Sequence, residues 1–354
     1  MSRLTRREFL RGFTLMGLLV LLAAVLSACF RKTEPTPEPS SPAVPAGSSA
    51  PVKEGVMATK VSLVRTTNRA EGVKQAIALL KDNPVRGKAV VLKPNFNSAD
   101  VTPGSTHIDT LRALVLNLKE MGAKSITLAE RSGPGMPTKD VMEKKGIFEL
   151  AKELDFNVIN LEEAGPEAWV HIRPNDSHWK DGFLFPRVIS EAESVVETCC
   201  LKTHQFGGHF TLSLKLAVGT VPRVGQAFMQ ELHSSPNQRK LIAEINTAFS
   251  PSLIVLDGVD AFTTGGPARG NLVQAGVFLA GNDRVAIDAV GVAILRFLGT
   301  TPEVSRGKIF EQDQIARAAE LGLGVKSADQ IQLVTGDKES EAYCAKIREI
   351  LFQG

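Results

Sequence analysis

Short apolar runs, each followed by a segment with apolar residues every three or four positions, recur from about residue 60 almost to the end of the chain. Continuous runs of this length suit strands buried on both faces, and the intervening periodicity suits helices packed against them. The pattern predicts an α/β fold, a mainly parallel sheet flanked by helices. Strands are expected over Lys60–Arg65, Ala89–Leu92, Ser125–Ala129, Asn157–Leu161, Ser194–Leu201, Leu253–Leu256, Gly276–Ala280 and Gln330–Val334. Helices are expected over Ala70–Lys81, Ile108–Met121, Thr138–Lys144, Phe148–Leu154, Gln238–Phe249, Arg284–Phe297, Gln312–Leu321 and Ser340–Leu351. Gly122, Gly299 and Pro251 mark helix ends. The irregular stretch Glu162–Arg187 reads as a small lobe inserted between strands.

Polar clusters begin where the expected strands end. They are Lys93-Pro94-Asn95-Phe96-Asn97, Glu130-Arg131-Ser132-Gly133, Lys202-Thr203-His204, Asp257-Gly258-Val259-Asp260 with Thr263 to Gly270, and Gly281-Asn282-Asp283. In open α/β sheets, ligands bind beyond the carboxyl ends of the strands. The clusters therefore predict one shared site holding Lys93, Glu130, Lys202, His204 and Asp257. The prolines and glycines also serve turns, Asp283 suits a helix N-cap, and Asp288, within an apolar helix, needs a cationic or backbone N–H partner.

The densest cluster is Lys202–Lys215. Lys202 and His204 lie two apart, on one side of a strand, and Gly207-Gly208 allows close approach of backbone to a ligand. Ser213–Gly219 is expected to be helical, with its N-terminus offering N–H groups to an anion. Lys93, Lys202, Lys215 and Arg131 would add positive charge. His204 and His209, five apart on a Gly-rich loop, are candidate metal ligands with Asp257, although they lack helical i,i+4 spacing. His204 equally suits general acid/base work. No G-x-S-x-G, Walker A or G-x-G-x-x-G motif occurs.

Charge excludes another class. Residues 1–28 hold four of the 41 basic and one of the 38 acidic residues, leaving 37 of each in the remainder. A balanced chain with no Lys/Arg run is not a nucleic-acid binder by pattern. Those first residues form a leader. Thr5-Arg6-Arg7-Glu8-Phe9-Leu10-Arg11 fits a twin-arginine signal, an apolar stretch covers Gly12–Val25, and Leu26-Ser27-Ala28-Cys29 fits a lipobox. The expectation is a signal peptide over 1–28, acylation of Cys29, and a Pro/Ser-rich tether to residue 58 carrying an α/β domain over 59–354. The protein would then be exported and held by membrane lipid on the extracytoplasmic face of the cell membrane. Beyond Cys29 only Cys199, Cys200 and Cys344 remain, without a C-x-x-C, so no Fe–S cluster is expected in this chain. Cys199-Cys200 reads as two buried strand residues or a vicinal disulfide.

Taken in order, Lys93-Pro94-Asn95, Leu201-Lys202-Thr203-His204, Ser213-Leu214-Lys215 with Gly219-Thr220-Val221-Pro222, Asp257-Gly258, Gly265-Gly266-Pro267, and Ala280-Gly281-Asn282-Asp283 leading to Asp288 resemble the family catalogued as domain of unknown function 362. The resemblance spans about residues 60–325. The family's biochemistry is unassigned. Many relatives carry ferredoxin-like Cys motifs and some carry twin-arginine leaders; this sequence lacks those Cys motifs.

The expected function is an extracytoplasmic enzyme acting on a small anionic ligand, carboxylate or phosphate, with a metal as an open alternative. Lys202, His204 and Asp257 are the catalytic candidates. Lys93, Asn95, Glu130, Lys202, Lys215, Gly207 and Gly208 are the binding candidates. A lipid-anchored capture protein for an anionic solute, or an accessory to a membrane redox or cofactor-assembly system, would carry the same features.

Overall fold

The structure is a computed structural model that describes residues 58–223 and 227–353. The expected signal peptide, Cys29 and all of the tether before Ala58 lie outside the described residues. The strands in chain order are β1 (Thr59–Arg65), β2 (Ala89–Lys93), β3 (Ser125–Glu130), β4 (Asn157–Asn160), β5 (Trp169–Ile172), β6 (Phe183–Pro186), β7 (Ser194–His204), β8 (His209–Thr211), β9 (Leu253–Gly265), β10 (Gly270–Gly281) and β11 (Ile331–Val334). Nine of them form one sheet, ordered β11-β1-β10-β9-β7-β2-β3-β4, with β8 paired to β7. Every neighbouring pair on that path is parallel except the two that β10 makes with β1 and β9.

The alternation of strand side chains builds a layer on each face. Val61, Leu63, Ile254, Leu256, Val277 and Leu279 pack under the helix Arg284–Leu298, in one core. Val64, Leu253, Val255, Phe278 and Ala280 face the other way, with Val90, Leu92, Ile126 and Leu128, against helices Arg69–Leu80 and Ile108–Glu120. The inserted segment forms a two-stranded sheet, β5 with β6, whose Phe183 and Phe185 pack with Trp179 in a third core.

Helix starts follow local chemistry. Asn68 caps Arg69–Leu80 by accepting from Glu71 N, and Asp283 caps Arg284–Leu298 by accepting from Ala286 N. Asp283 thus has the structural role anticipated for it. The expected helix over Gln238–Phe249 ends earlier, at Ile245, and continues as a 3-10 turn over Asn246–Ala248.

Three strand expectations need correction. β7 and β9 run on through the polar residues that follow their apolar runs, so Lys202 and His204 belong to β7 and Asp257 lies inside β9. Backbone pairing continues there because it does not depend on apolar side chains. The segment Gly265–Gly270 is a hairpin turn returning the chain into β10, so β10 runs against its neighbours. Gly281-Asn282-Asp283 therefore lies at the opposite edge of the sheet from the other clusters.

Candidate functional site

The chain leaves β2 for β3 and β4 at one side, then returns to place β7 on the other side of β2. That reversal creates a crevice beyond the carboxyl ends of β2 and β7, the usual ligand position in open α/β sheets. A small cavity of about 50 Å³ opens there, lined by Lys93, Asn95, Glu130, Arg131, Lys202, His204, Thr211 and Lys215, among others. Six of the expected site residues, Lys93, Asn95, Glu130, Lys202, His204 and Lys215, thus meet around one space. Ligand pockets for drug-sized molecules run to several hundred Å³, so this volume suits a ligand of a few heavy atoms.

Two of the cations are committed to the protein. Lys93 Nζ donates to Glu130 Oε1 at 2.6 Å and to the carbonyl of Pro94 at 2.7 Å. Glu130 also accepts from the backbone N–H of Phe96 and of Arg131, both at 2.8 Å. Burial nevertheless lowers the Lys93 pKa, outweighing the neighbouring Glu130. Arg131 donates to the carbonyls of Val218, Val221 and Ser132. Its guanidinium, lowered to about 10 by burial, braces the 3-10 turn Ala217–Thr220 against β3. Gly219 lies where a Cβ would stand 3.0 Å from Lys93 Nζ and 3.1 Å from Glu130 Oε1, so only glycine leaves that ion pair undisturbed.

Neither of the other two makes an ion pair among the described residues, although the more distant Asp100 favours the charged form of Lys202. Lys202 Nζ donates to the carbonyl of Gly104 at 2.6 Å. Burial lowers its pKa to about 8. Lys215 is lowered to about 7 by burial, then by the charges of Lys202 and Arg131, and no carboxylate offsets them. His204 is driven far down by burial and then by Lys215 and Lys202, so its imidazole is neutral. Three buried atoms on the lining residues have no hydrogen-bond partner among the described residues: Asn95 Oδ1, His204 Nδ1 and Thr211 Oγ1. Buried polar atoms are almost always satisfied, so three orphans around one cavity mark a place for polar guest atoms.

Thr211 is the residue that sequence reasoning missed. It sits on β8, opposite Lys202 in the hairpin register. The Gly207-Gly208 turn was the available signal, because residues after a tight turn pair back onto the preceding strand. Gly207 takes φ 77° in that turn and packs on Gln238, so it does not line the cavity. Gly208 lies against the cavity from behind: a Cβ there would be 2.7 Å from Lys215 Cε and 3.0 Å from His204 Nδ1.

Other expectations do not survive the geometry. Asp257 is absent from the lining; its carboxylate accepts from Arg69 Nε at 3.1 Å, Thr110 Oγ1 at 2.5 Å and Val259 N at 3.0 Å. It joins β9 to the starts of two helices and is not available to orient His204. His209 is turned towards Arg239, Glu303, Asp313 and Gln312, away from the surroundings of His204. Among the described residues no three His, Cys, Asp or Glu side chains gather as a metal site, so His204, His209 and Asp257 do not form the expected ligand set. The helix near the cavity, Ser213–Leu216, does not offer its first N–H groups to a ligand. Asp288 takes them, accepting from Ser213 N at 2.8 Å and Leu214 N at 3.3 Å. Asp288 thereby finds its backbone partners. Cys199 and Cys200 are free, buried thiols of β7.

A protein of Synechocystis sp. described as Thylakoid-associated protein sll1697 is similar to this chain, with 26% identity over 215 residues, or 59% of this chain. The chain spans 64% of the length of that curated relative. Among solved structures, the lactate racemase apoprotein from Thermoanaerobacterium thermosaccharolyticum aligns over 80% of this chain and 85% of its own, at 13% identity and a TM-score of 0.37. That likeness is too low to bear on fold or chemistry here. The family described as Domain of unknown function (DUF362) matches residues 90–293, which is more than half of the chain and contains every residue lining the cavity, and the chain belongs to that family.

Proposed function

We propose that this is an extracytoplasmic, lipid-anchored protein whose cavity binds a small carboxylate or phosphate and acts on it as an enzyme. The observation that carries the reading is the meeting of two lysines without an ion-pair partner among the described residues, Lys202 and Lys215, with three orphaned polar atoms around one small cavity. A bound anion would supply the missing countercharge, and its other polar atoms would satisfy Asn95, Thr211 and His204. Lys93 and Glu130 fix the wall of the site and carry no charge to spare. His204 is neutral, so its Nδ1 is free to accept a ligand proton; a bound anion would offset the two lysines, while burial still opposes the charged form.

The anchoring part of the proposal rests on the twin-arginine pattern around Arg6-Arg7 and the lipobox at Cys29. Among the described residues no helix is long and apolar enough to cross a membrane.

Thermal unfolding with a panel of small anions tests the site. Acetate, glycolate or phosphate should raise the melting temperature of the wild-type chain and leave that of Lys202→Met unchanged. His204→Ala then separates catalysis from capture. Loss of turnover with affinity kept within a few fold supports an enzyme, whereas loss of affinity alone supports a solute-capture protein. An equal effect of every anion on both chains would refute the site.

A further inference from the structure

Of the four cations lining the cavity, three donate to protein acceptors: Lys93 to Glu130 and Pro94, Lys202 to Gly104, and Arg131 to backbone carbonyls. Lys215 has no hydrogen-bond acceptor among the described residues, and the charges that shift its pKa, Lys202 and Arg131, are both positive. Burial beside like charges, without a carboxylate, lowers the pKa of the Lys215 amine to about 7, so near neutrality the free base, the nucleophilic form, is populated beside the ammonium. Its position is fixed from two directions. Behind it, the helix Ser213–Leu216 is pinned by Asp288 and by Ser213 Oγ, which donates to Glu197 Oε2 at 2.7 Å. Above it, Gly208 packs on the Lys215 stem and on His204.

We propose that Lys215 forms an imine with a small 2-oxo acid, whose carboxylate lies at Lys202 and whose carbonyl carbon lies at the Lys215 nitrogen. The proposal rests on the cavity being an anion site, and adds to it the class of ligand and the atom attacked. The lone pair of Lys215 Nζ adds to the carbonyl carbon, forming the C–N bond, and the carbonyl oxygen takes the first of the two nitrogen protons to become a hydroxyl. His204 Nδ1, buried and unpartnered among the described residues, takes the second proton from the nitrogen. The imidazolium returns it to the hydroxyl, which departs as water as the C=N bond forms. Amine and carbonyl thus give imine and water, with no oxidant or reductant. The carboxylate distinguishes this ligand from a simple aldehyde, and the small cavity limits what can follow the carbonyl.

The test is reductive trapping on the full chain with glyoxylate and cyanoborohydride near neutral pH, followed by peptide mapping. Glyoxylate is the smallest 2-oxo acid, and glycolate, with the same carboxylate and no carbonyl, is its control. An ordinary lysine near neutrality is a free base in only about one molecule per few thousand. The reduced adduct should therefore form on Lys215 more than tenfold faster than on the exposed Lys326, and glycolate should slow it at Lys215 alone. Glycolate binding, measured by calorimetry, with Lys215 trapped no faster than Lys326 would overturn the imine and leave the anion site standing. Absence of both glycolate binding and selective trapping would overturn the two together. Trapping is read on the wild-type chain, so a folding defect in a variant cannot confuse it.

Discussion

Lys93 and Glu130 meet at 2.6 Å across 37 residues of sequence, with each side chain 1% exposed. A buried pair adds little net stability, but removing one partner strands the other charge. Glu130→Gln should therefore cost about 3–5 kcal/mol, because it leaves a buried ammonium and one acceptor fewer for the N–H groups of Phe96 and Arg131. Lys93→Met with Glu130→Gln should recover part of that loss. Urea unfolding of the four chains checks this; additive losses would show that the two residues are not coupled.

The pH dependence of anion binding follows from Lys202 and Lys215, lowered mainly by burial to about 8 and about 7. An anion favours the ammonium forms, so above these values binding must take up protons. Glycolate affinity should be level on the acid side and fall as pH rises through 7 to 8, by roughly tenfold per pH unit for each proton taken up. Calorimetry between about pH 6 and pH 9 measures it, and a flat profile would show that neither lysine is a charge partner.

Asp288 is pushed up to about 8 by burial, so near neutrality its carboxyl caps Ser213 and Leu214 largely as the acid. Asp288→Asn keeps the acceptor oxygen and should be mild. Asp288→Ala strands buried N–H groups, at about 1–3 kcal/mol, and should also weaken glycolate binding, because Lys215 stands on the same short helix. Equal losses for the two substitutions would mean that the carboxylate charge matters there.

The long helices and the strand cores were legible because apolar periodicity and caps such as Asn68 and Asp283 are local signals. The strand-end rule also pointed to Lys93, Asn95, Glu130, Lys202 and His204, and the dense polar segment after Lys202 pointed to Lys215. What it lacked was strand direction: β10 runs against its neighbours, which removes Gly281-Asn282-Asp283 from the site. Asp257 misled for a related reason. It follows an apolar run, yet β9 continues through it, and its partner Arg69 lies 188 residues away. The short strands β5, β6 and β8, of three or four residues each, offer too little alternation to show a period. Thr211 was hidden with β8.

Export and anchoring are tested apart from the cavity. Cys29→Ser should release the protein from membranes or stall its processing, because two or three acyl chains are needed for a stable anchor. Arg6→Lys with Arg7→Lys should trap folded precursor inside the cell. Fractionation with mass spectrometry of the mature N-terminus reads both, and a wild-type protein without lipid on Cys29 would contradict the anchor.

The central claim is that the cavity holds an anion between Lys202 and Lys215, and selenate tests it most directly. Its selenium scatters anomalously, and its oxygens offer the countercharge that these lysines lack. Diffraction from crystals grown with selenate should place one anomalous peak within hydrogen-bond reach of both amines, lost in Lys202→Met. Selenate bound elsewhere, with only water between Lys202, His204 and Lys215, would contradict the account.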